Sequence, residues 1–237
     1  MEGRIFMWYR YETHMHSREG SACGRSAAAD MVRAYHAAGY AGAVLTDHFI
    51  FGNTSVPREL PWEERMQRYY DAYLSAKPTA DALDFDLFFG MEHFYEHWKE
   101  ILIYGVDVAF WKANPDIPKI SVEELGARIH AAGGFITHAH PYRFRSYMAA
   151  FYEPVITMCD AIEVYNYSDP PEINDKAAAL ANRLGLLCTS GADAHRADYE
   201  GVGRAGLAFP RRLRTSGEFV AALRGGEGRL IINGKIQ

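Results

Sequence analysis

The 237-residue sequence contains only three cysteines, and their arrangement excludes two classes of protein. Cys23, Cys159 and Cys188 are odd in number and far apart. None of them forms a Cys-x-x-Cys pair, so the sequence does not resemble a zinc ribbon or a small domain held by disulfides. Unpaired thiols are typical of a reducing compartment, and we expect a cytoplasmic protein.

The sequence also lacks the features that direct a chain to a membrane. It has no apolar run of about 18 residues, and its first residues show no secretory signal pattern. We therefore expect no membrane association. The formal net charge is −5, so the chain lacks the excess of positive charge that coats many nucleic-acid-binding proteins. A long nucleic acid is not the expected partner.

Two catalytic motifs are missing as well. The sequence contains no Gly-x-Ser-x-Gly elbow, and no cysteine lies in a phosphate-binding loop. A covalent mechanism through a serine or cysteine nucleophile therefore has little support.

Short β-rich segments alternate with helical patterns along the whole chain. This alternation predicts an α/β fold with a mostly parallel sheet or barrel. The length suits one large domain over residues 1–237, and hydrophobic residues make up 49% of it. Strands are predicted over 6–13, 41–46, 85–89, 101–106, 135–137, 161–165, 186–190, 206–209 and 230–233. Helices are predicted over 26–38, 62–77, 122–132, 172–184 and 216–224.

Histidine and carboxylate side chains follow several of the predicted strands. Three stretches place two such residues two positions apart, a spacing that puts both side chains on one face of a strand. In barrels of βα units, active sites assemble at the carboxyl ends of the strands. The three stretches contain the pairs His14 and His16, His138 and His140, and Asp193 and His195.

This combination of side chains predicts a centre for divalent metals. Imidazoles and carboxylates without thiolates suit Mn²⁺, Fe²⁺ or Zn²⁺, and the ligand types do not decide among these ions. Two or three such ions carry more positive charge than the nearby carboxylates carry negative charge. The centre would therefore attract a phosphate.

Five motifs occur in the order and spacing found in the polymerase and histidinol phosphatase (PHP) superfamily, which the sequence resembles. They are His14-Met15-His16-Ser17, Thr46-Asp47-His48, Gly90-Met91-Glu92, Ala139-His140-Pro141 and Asp193-Ala194-His195. The resemblance implies a distorted (β/α)7 barrel similar to a TIM barrel. It also implies a centre of two or three divalent ions that hydrolyses phosphoesters.

The family pattern assigns the metal ligands by position, with Glu92 bridging two ions. Glu19 stands where many members have an aspartate, and Glu100 stands where many have a histidine. Glu100 is either a carboxylate ligand or an ordinary surface residue, and His138 is either a ligand or a residue near the site. The ligands implied by the resemblance are His14, His16, Glu19, His48, Glu92, His140, Asp193 and His195.

Other residues near these motifs are candidates for contacts with substrate. An arginine fork matches two oxygens of a phosphate, and Arg143, Arg196 and Arg18 lie close to predicted ligands in sequence. His93 follows Glu92 and is a further candidate. Asp47 is expected to orient a neighbouring histidine by a hydrogen bond. The long connections 50–61 and 142–154 are expected to form walls of the substrate pocket.

Three functions fit these observations. The first is hydrolysis of a small phosphomonoester by metal-bound hydroxide, with no side-chain nucleophile. The second is a nuclease or nucleotide phosphatase, which predicts a basic groove beside the metals. The third is a metal-binding regulatory domain that has lost catalysis. The motifs define a metal centre and leave the substrate open.

Overall fold

The structure is a computed structural model that describes residues 7–237. The described chain forms ten strands and six α-helices in a single mixed α/β arrangement. The strands are β1 Tyr9–Met15, β2 Gly42–Leu45, β3 Asp86–Phe94, β4 Glu100–Tyr104, β5 Phe135–Ala139, β6 Ala161–Asn166, β7 Leu187–Gly191, β8 Ala205–Phe209, β9 Arg229–Ile232 and β10 Lys235–Ile236. The helices are α1 Ala28–Ala37, α2 Trp62–Ala82, α3 Val108–Ala113, α4 Val122–Ala131, α5 Pro171–Leu184 and α6 Ser216–Arg224.

All ten strands belong to one sheet in the order β10-β9-β8-β1-β2-β3-β4-β5-β6-β7. The pairs β1–β2, β2–β3, β5–β6 and β6–β7 are parallel, as alternating βα units predict. Strand β4 is antiparallel to both of its neighbours. Only residues 95–99 separate β3 from β4, too few for the crossover that a parallel pair needs.

The sheet curls so that β7 returns to β1. The Thr13 hydroxyl on β1 donates to the carbonyl of Ser190 on β7 over 2.7 Å, and Met15 forms a parallel bridge with Ala194. Strands β1 to β7 therefore make a distorted seven-stranded barrel, and β8 to β10 extend it beside β1 as antiparallel strands. The predicted α/β barrel is confirmed, with β4 as a departure from strict βα alternation.

The helices form for reasons that are visible in the sequence. Helix α1 buries Met31, Val32 and Tyr35, whose spacing places them on one face. Helix α6 begins with a capping box in which the side chains of Thr215 and Glu218 each accept a hydrogen bond from the other's backbone N–H. The short helix α3 was absent from the prediction, because six residues carry too little periodicity to be seen. No helix within residues 7–237 is long and apolar enough to cross a membrane.

The barrel gathers the predicted site residues at one end. His14 and His16 lie at the end of β1, and the ends of β2, β5 and β7 deliver His48, His140 and Asp193. The polar groups of this end are mostly buried. The topology therefore brings residues that are up to about 180 positions apart in sequence into one cluster.

Candidate metal centre

Glu92 lies in the middle of the cluster, and only 1% of it is exposed. Its Oε1 atom is 3.1 Å from His14 Nε2 and 3.1 Å from His140 Nε2. Its Oε2 atom is 2.7 Å from His48 Nδ1 and 3.4 Å from His16 Nε2. One carboxylate thus faces four imidazoles from three different strand ends, the position expected of a bridging ligand.

Asp193 forms the second carboxylate of the cluster. Its Oδ1 atom is 3.2 Å from His16 Nε2 and 3.5 Å from His14 Nε2. His195 lies beside it, with Nδ1 at 3.5 Å from the same oxygen. The two-residue spacing of Asp193 and His195 therefore does direct both side chains to one site.

Glu100 supplies a third carboxylate, although its sequence context left its role open. It pairs with Ala139 in the β4–β5 register, directly beside His140. Its carboxylate oxygens lie 3.5 Å from His48 Nδ1 and 3.6 Å from His140 Nε2. The structure therefore brings Glu100 to the cluster.

The donor atoms of this cluster fit divalent metal ions. Among the described residues, the Nε2 atoms of His14 and His16, the Nδ1 atom of His48 and the Oε2 atom of Glu92 are buried without a hydrogen-bond partner. A buried polar group with no partner costs about 1–3 kcal/mol, and a bound cation would satisfy all four at once. Four sets of ligand atoms lie within 4.8 Å of one another: His16, His48 and His195; His14, His16 and Glu92; His14, His140 and Asp193; and His48, Glu92 and Glu100.

Glu163 on β6 orients His14, and the sequence analysis did not identify it. Its Oε1 atom is 3.0 Å from His14 Nδ1, while Oε2 accepts from the His140 backbone N–H at 3.0 Å and from Asn166 Nδ2 at 2.9 Å. A carboxylate at Nδ1 keeps the proton there and leaves the lone pair of Nε2 for a metal. The available signal was a lone acidic residue within an otherwise apolar strand.

Asp47 orients a histidine through Ser21 rather than directly. The Ser21 hydroxyl donates to Asp47 Oδ1 over 2.7 Å and lies 3.1 Å from His16 Nδ1. Because the hydroxyl proton is used by Asp47, the serine oxygen accepts from His16 Nδ1–H, and the His16 Nε2 lone pair faces the cluster. Asp47 also accepts from the backbone and hydroxyl of Ser17, each over 2.7 Å.

Burial alone would lower the pKa of His14 and of His48, but the carboxylates of Asp193, near His14, and of Glu92, near His48, raise both well above the usual value, so metal binding at these imidazoles would displace a proton. Burial and the neighbouring imidazoles of His195 and His48 hold the pKa of His16 well below its usual value, so this predicted ligand is neutral. Burial by itself would raise the pKa of Glu92, but His14 and His48 lower it well below the usual value, so this ligand is ionised.

Two of the predicted ligands adopt a left-handed backbone conformation. His140 has a φ of 28° and Asp193 has a φ of 52°. Such conformations cost about 1–3 kcal/mol each in residues other than glycine, and they persist where the surrounding structure enforces them. Both lie directly after barrel strands, where the sharp turn aims the side chain into the cluster.

Glu19 and His138 lie away from the cluster, which corrects the ligand role expected of Glu19 and argues against the ligand role left open for His138. Glu19 Oε2 accepts the backbone N–H of Ala28 at the start of α1, and its other oxygen is 3.5 Å from Arg18 Nε. His138 Nε2 is 2.9 Å from the Tyr95 hydroxyl, and its Nδ1 is 2.9 Å from the carbonyl of Ala139. Both side chains have partners elsewhere, and neither belongs to a group of possible metal-ligand atoms among the described residues.

Three of the predicted substrate contacts also point elsewhere. His93 follows Glu92 on β3 and therefore faces the other side of the strand, where it packs against Phe49 and burial lowers its pKa to about 4. The Arg18 and Arg196 side chains are 63% and 54% exposed and lie beside Glu19 and Asp198. None of the three lines the cavity at the cluster.

Arg143 does lie at the site. It donates from Nε to Asp169 over 2.9 Å and from one terminal nitrogen to Asp193 over 2.7 Å. Its other terminal nitrogen, NH2, is buried without a partner among the described residues. Asp169 and the cavity residue Arg58 were not identified from the sequence, because neither lies in a motif.

A cavity of about 650 Å³ opens onto the cluster. Parts of the predicted connections form its walls, since residues 51–54, 58, 143, 147 and 148 line it. Its surface combines metal-site residues, two arginines and several aromatic side chains. The lining includes Cys23, His48, Phe51, Arg58, Phe94, Trp98, Glu100, Arg143, Tyr147, Asp193 and His195.

Cys23 was interpreted from the sequence only as an unpaired thiol. In the structure it lines the cavity together with His195 and His48. Burial raises the pKa of this thiol, but the two imidazoles outweigh that effect and lower it to about 6.

Comparison with known proteins is consistent with this geometry. The family model described as PHP-associated matches residues 171–227, which include Asp193 and His195. No curated protein matches the sequence. The chain therefore carries only a partial family match at the level of sequence.

Solved structures share the fold over most of the chain. A two-domain protein from Bacteroides vulgatus that contains a predicted PHP-like metal-dependent phosphoesterase aligns with a TM-score of 0.68 and 15% identity, over 96% of this chain and 65% of that one. A candidate metal-dependent phosphoesterase from Bifidobacterium adolescentis aligns with a TM-score of 0.56 and 14% identity, over 81% of this chain and 90% of that one. The lesion-specific endonuclease PfuEndoQ from Pyrococcus furiosus aligns with a TM-score of 0.63 and 13% identity, over 92% of this chain and 56% of that one.

The chain thus has the fold of PHP-like metal-dependent phosphoesterases, and it spans less than two thirds of the Bacteroides and Pyrococcus proteins. Together with the five ordered motifs and the PHP-associated match over residues 171–227, the shared fold confirms the predicted resemblance to PHP-domain proteins. Its site contains histidine and carboxylate groups compatible with metal binding.

Proposed function

We propose that this protein is a metal-dependent hydrolase that acts on a small phosphomonoester. The observation that carries the proposal is the position of Glu92 among four imidazoles, with several buried donor atoms that have no hydrogen-bond partner. These atoms face one another and the neighbouring carboxylate at 2.7–3.4 Å without forming well-directed hydrogen bonds. A set of divalent cations would satisfy them.

Two or three divalent ions, Mn²⁺, Fe²⁺ or Zn²⁺, would supply a hydroxide at neutral pH and stabilise the charge of the leaving oxygen. His14, His16, His48, His140 and His195 would hold them together with Glu92, Glu100 and Asp193. The three carboxylates carry three negative charges against four to six positive charges of the ions. The loaded site would therefore attract an anion.

Arg143 would bind the phosphate. Its Nε and one terminal nitrogen are occupied by Asp169 and Asp193, which hold the guanidinium in place at the cavity wall. The remaining terminal nitrogen has no partner and is available to a phosphate oxygen. Because Asp193 also contacts the histidines, the arginine fixes the distance between the phosphate site and the cluster.

The cavity favours a small substrate over a polymer. A volume of about 650 Å³ matches a drug-sized molecule. The cationic residues in its lining are Arg58 and Arg143, which are too few to follow a nucleic-acid backbone over several phosphates. We therefore propose a small phosphorylated partner that the enzyme meets in the cytoplasm.

A nucleotide phosphatase or nuclease is the second candidate, and one observation favours it. The cavity mouth carries the aromatic side chains of Phe51, Trp98 and Tyr147, which are 43%, 45% and 64% exposed. Exposed aromatic rings provide stacking surfaces for bases. Nucleotides and short oligonucleotides therefore belong among the test substrates.

The test is release of phosphate by purified protein loaded with Mn²⁺, Fe²⁺ or Zn²⁺. The substrates are sugar phosphates, amino-alcohol phosphates, nucleotides and oligonucleotides, each with and without chelator. Turnover that requires metal and prefers a small monoester supports the proposal, while preference for internal phosphodiesters supports the nuclease.

A pair of histidine variants provides the control. His140→Ala removes a predicted ligand and should reduce turnover by at least about 100-fold, which corresponds to about 2.7 kcal/mol of the activation barrier. His130→Ala removes a partly exposed histidine that pairs with Asp160 outside the cluster, and turnover should be retained. Metal-loaded protein that turns over no substrate would instead favour the regulatory, non-catalytic role.

A further inference from the structure

Lys99 is a buried lysine at the end of the turn between β3 and β4, directly before Glu100. Only 4% of it is exposed, although lysine is among the residues that are least often buried. Its Nζ atom donates to the carbonyl of Pro141 over 2.7 Å and lies 4.3 Å from the centre of the Phe151 ring. Both of these partners are uncharged, so they do not fully offset the cost of burying an ammonium group. We therefore expect a functional reason for this lysine.

The Pro141 carbonyl belongs to the β5–β6 connection, residues 140–160, where a tight turn carries two residues of the site. His140 precedes Pro141, and the backbone N–H of Arg143 donates to the carbonyl of His140 over 2.9 Å, which closes the turn. His140 has a φ of 28°, a conformation that persists where surrounding contacts enforce it. The hydrogen bond from Lys99 is such a contact, because it fixes the carbonyl of the next residue.

The two site residues of the turn differ in how much they depend on this bond. His140 directly follows β5, and its backbone N–H donates to Glu163 over 3.0 Å. The strand and this carboxylate hold His140 independently of Lys99. The Arg143 backbone lies three residues farther along the connection, and the turn places it. Loss of the lysine should therefore displace Arg143 more than His140.

The tip of the β3–β4 turn packs against the same connection. His97 stacks on Tyr152 with ring centroids 3.9 Å apart, and Trp98 contacts Tyr147 edge to face at 5.3 Å. His97 and Trp98 have φ values of 50° and 61°, in the left-handed region that favours glycine. Two such residues in succession are costly, and their packing on the connection offsets part of that cost. The turn therefore holds the connection at its exposed surface as well as at the buried lysine.

We propose that Lys99 is a positioning residue for phosphate binding, because its bond to Pro141 keeps Arg143 in place for the substrate phosphate. Asp169 and Asp193 accept from the guanidinium, and both bonds can persist only while the turn holds the backbone of the arginine. The terminal nitrogen without a partner among the described residues is then directed to the substrate. The inference rests on the proposed function, and it adds to it a residue outside the five motifs and outside the cavity lining.

The informative variant is Lys99→Met, which keeps the length of the side chain and removes the hydrogen-bond donor. Lys112→Met is the matched control, because Lys112 is a partly buried lysine on α3 that also donates to a neutral oxygen, that of Gln67, over 2.7 Å. Lys99→Gln is a second variant, since its side chain is polar but one atom shorter and should not reach the Pro141 carbonyl. It replaces Lys99→Met if the latter strongly lowers the urea midpoint of unfolding.

The measurement is the Kd of inorganic phosphate for the full chain loaded with Mn²⁺, determined by isothermal titration calorimetry. Wild type, Lys99→Met, Arg143→Met and the double variant together form a double-mutant cycle. The number of bound Mn²⁺ ions and the urea midpoint are determined for each protein. A residue that acts through Arg143 has no effect once Arg143 is absent. A residue that acts through its own charge or through general stability weakens binding in both backgrounds.

We expect Lys99→Met to weaken phosphate binding at least about tenfold when Arg143 is present and less than about twofold when Arg143 is replaced. Lys112→Met should bind phosphate as the wild type does, and all variants should keep their metal content. Unchanged phosphate binding by Lys99→Met, or equal losses in both backgrounds, would overturn this inference and leave the proposed function standing. Loss of Mn²⁺ from Lys99→Met would overturn it as well, because the lysine would then act on His140. A wild-type protein that binds metal but no phosphate would overturn both the inference and the proposed function.

Discussion

Glu163→Gln tests whether a carboxylate outside the ligand set fixes the tautomer of His14. The substitution keeps the size of the side chain and removes one acceptor oxygen. In the wild type, the two oxygens accept from three donors, namely His14 Nδ1, the His140 backbone and the Asn166 amide. Glutamine offers one oxygen and one NH₂ group, so at least one of these donors loses its acceptor.

Either orientation of the glutamine has an unfavourable consequence. If its NH₂ group faces His14, Nδ1 must become the acceptor and the proton moves to Nε2, the atom that lies 3.1 Å from Glu92. His14 then has no lone pair for a metal. If the NH₂ group faces His140 and Asn166 instead, buried N–H donors point at one another, and each donor without an acceptor costs about 1–3 kcal/mol of stability.

We therefore expect metal affinity to fall by about 10–100-fold, the range seen when such orienting groups are removed. This corresponds to about 1.4–2.8 kcal/mol of binding free energy. The measurement is competition for Zn²⁺ against a chromophoric chelator, combined with urea unfolding of the metal-free protein. Glu123→Gln on the exposed face of α4 is the control and should leave both quantities unchanged.

The reasoning is refuted if Glu163→Gln binds zinc with the affinity of the wild type and unfolds within about 0.5 kcal/mol of it. That result would mean that His14 is oriented without the carboxylate. A loss of stability with unchanged affinity would give Glu163 a purely structural role.

Three further predictions concern the same end of the barrel. Glu19→Ala removes the acceptor of the Ala28 N–H and should lower the free energy of unfolding, measured in urea, by about 1 kcal/mol. The number of bound metal ions should stay the same. Loss of an ion would return Glu19 to the ligand set. Gly191→Ala would place a Cβ atom 2.5 Å from the Cβ atom of His14 and 2.6 Å from Glu163 Oε1. We therefore expect the substitution to lower the free energy of unfolding by about 1–3 kcal/mol and to weaken zinc binding. Wild-type values in both assays would show that the strand end can shift. Zinc at 100 times its Kd should stabilise the folded chain by about 2.7 kcal/mol. Calorimetry would detect this stabilisation as a higher Tm, and a chelator would reverse it. An unchanged Tm would count against a metal centre in the folded state.

Local sequence patterns predicted the elements of the fold well because each pattern acts over a few residues. The apolar spacing of α1 and the cap of α6 are examples, and the predicted bounds of α6 agree with the structure. The pairing of β4 as an antiparallel strand was not predicted. Strand direction depends on which neighbour a segment meets, and residues 95–99 look like any other connection in sequence.

The motifs predicted the set of residues that the barrel brings together, with one clear exception. His14, His16, His48, Glu92, His140, Asp193 and His195 all reach the cluster, and their ligand roles stay predictions. Glu19 does not reach it, because a backbone N–H at the start of α1 is close enough to bind its carboxylate first. Spacing in sequence cannot show this competition.

The sequence by itself determined the class of fold and the inventory of chemical groups, since both depend on residue type and on order along the chain. Tertiary structure decided which groups act together. Glu163 reaches His14 across 149 positions, and Cys23 lines the same cavity as His195 across 172, separations at which no local periodicity links two residues. The role of Glu100 was open in the sequence, and the curvature of the sheet places it among the histidines. The role of Glu19 was inferred from the family pattern, and the path of one loop places it at the start of a helix instead.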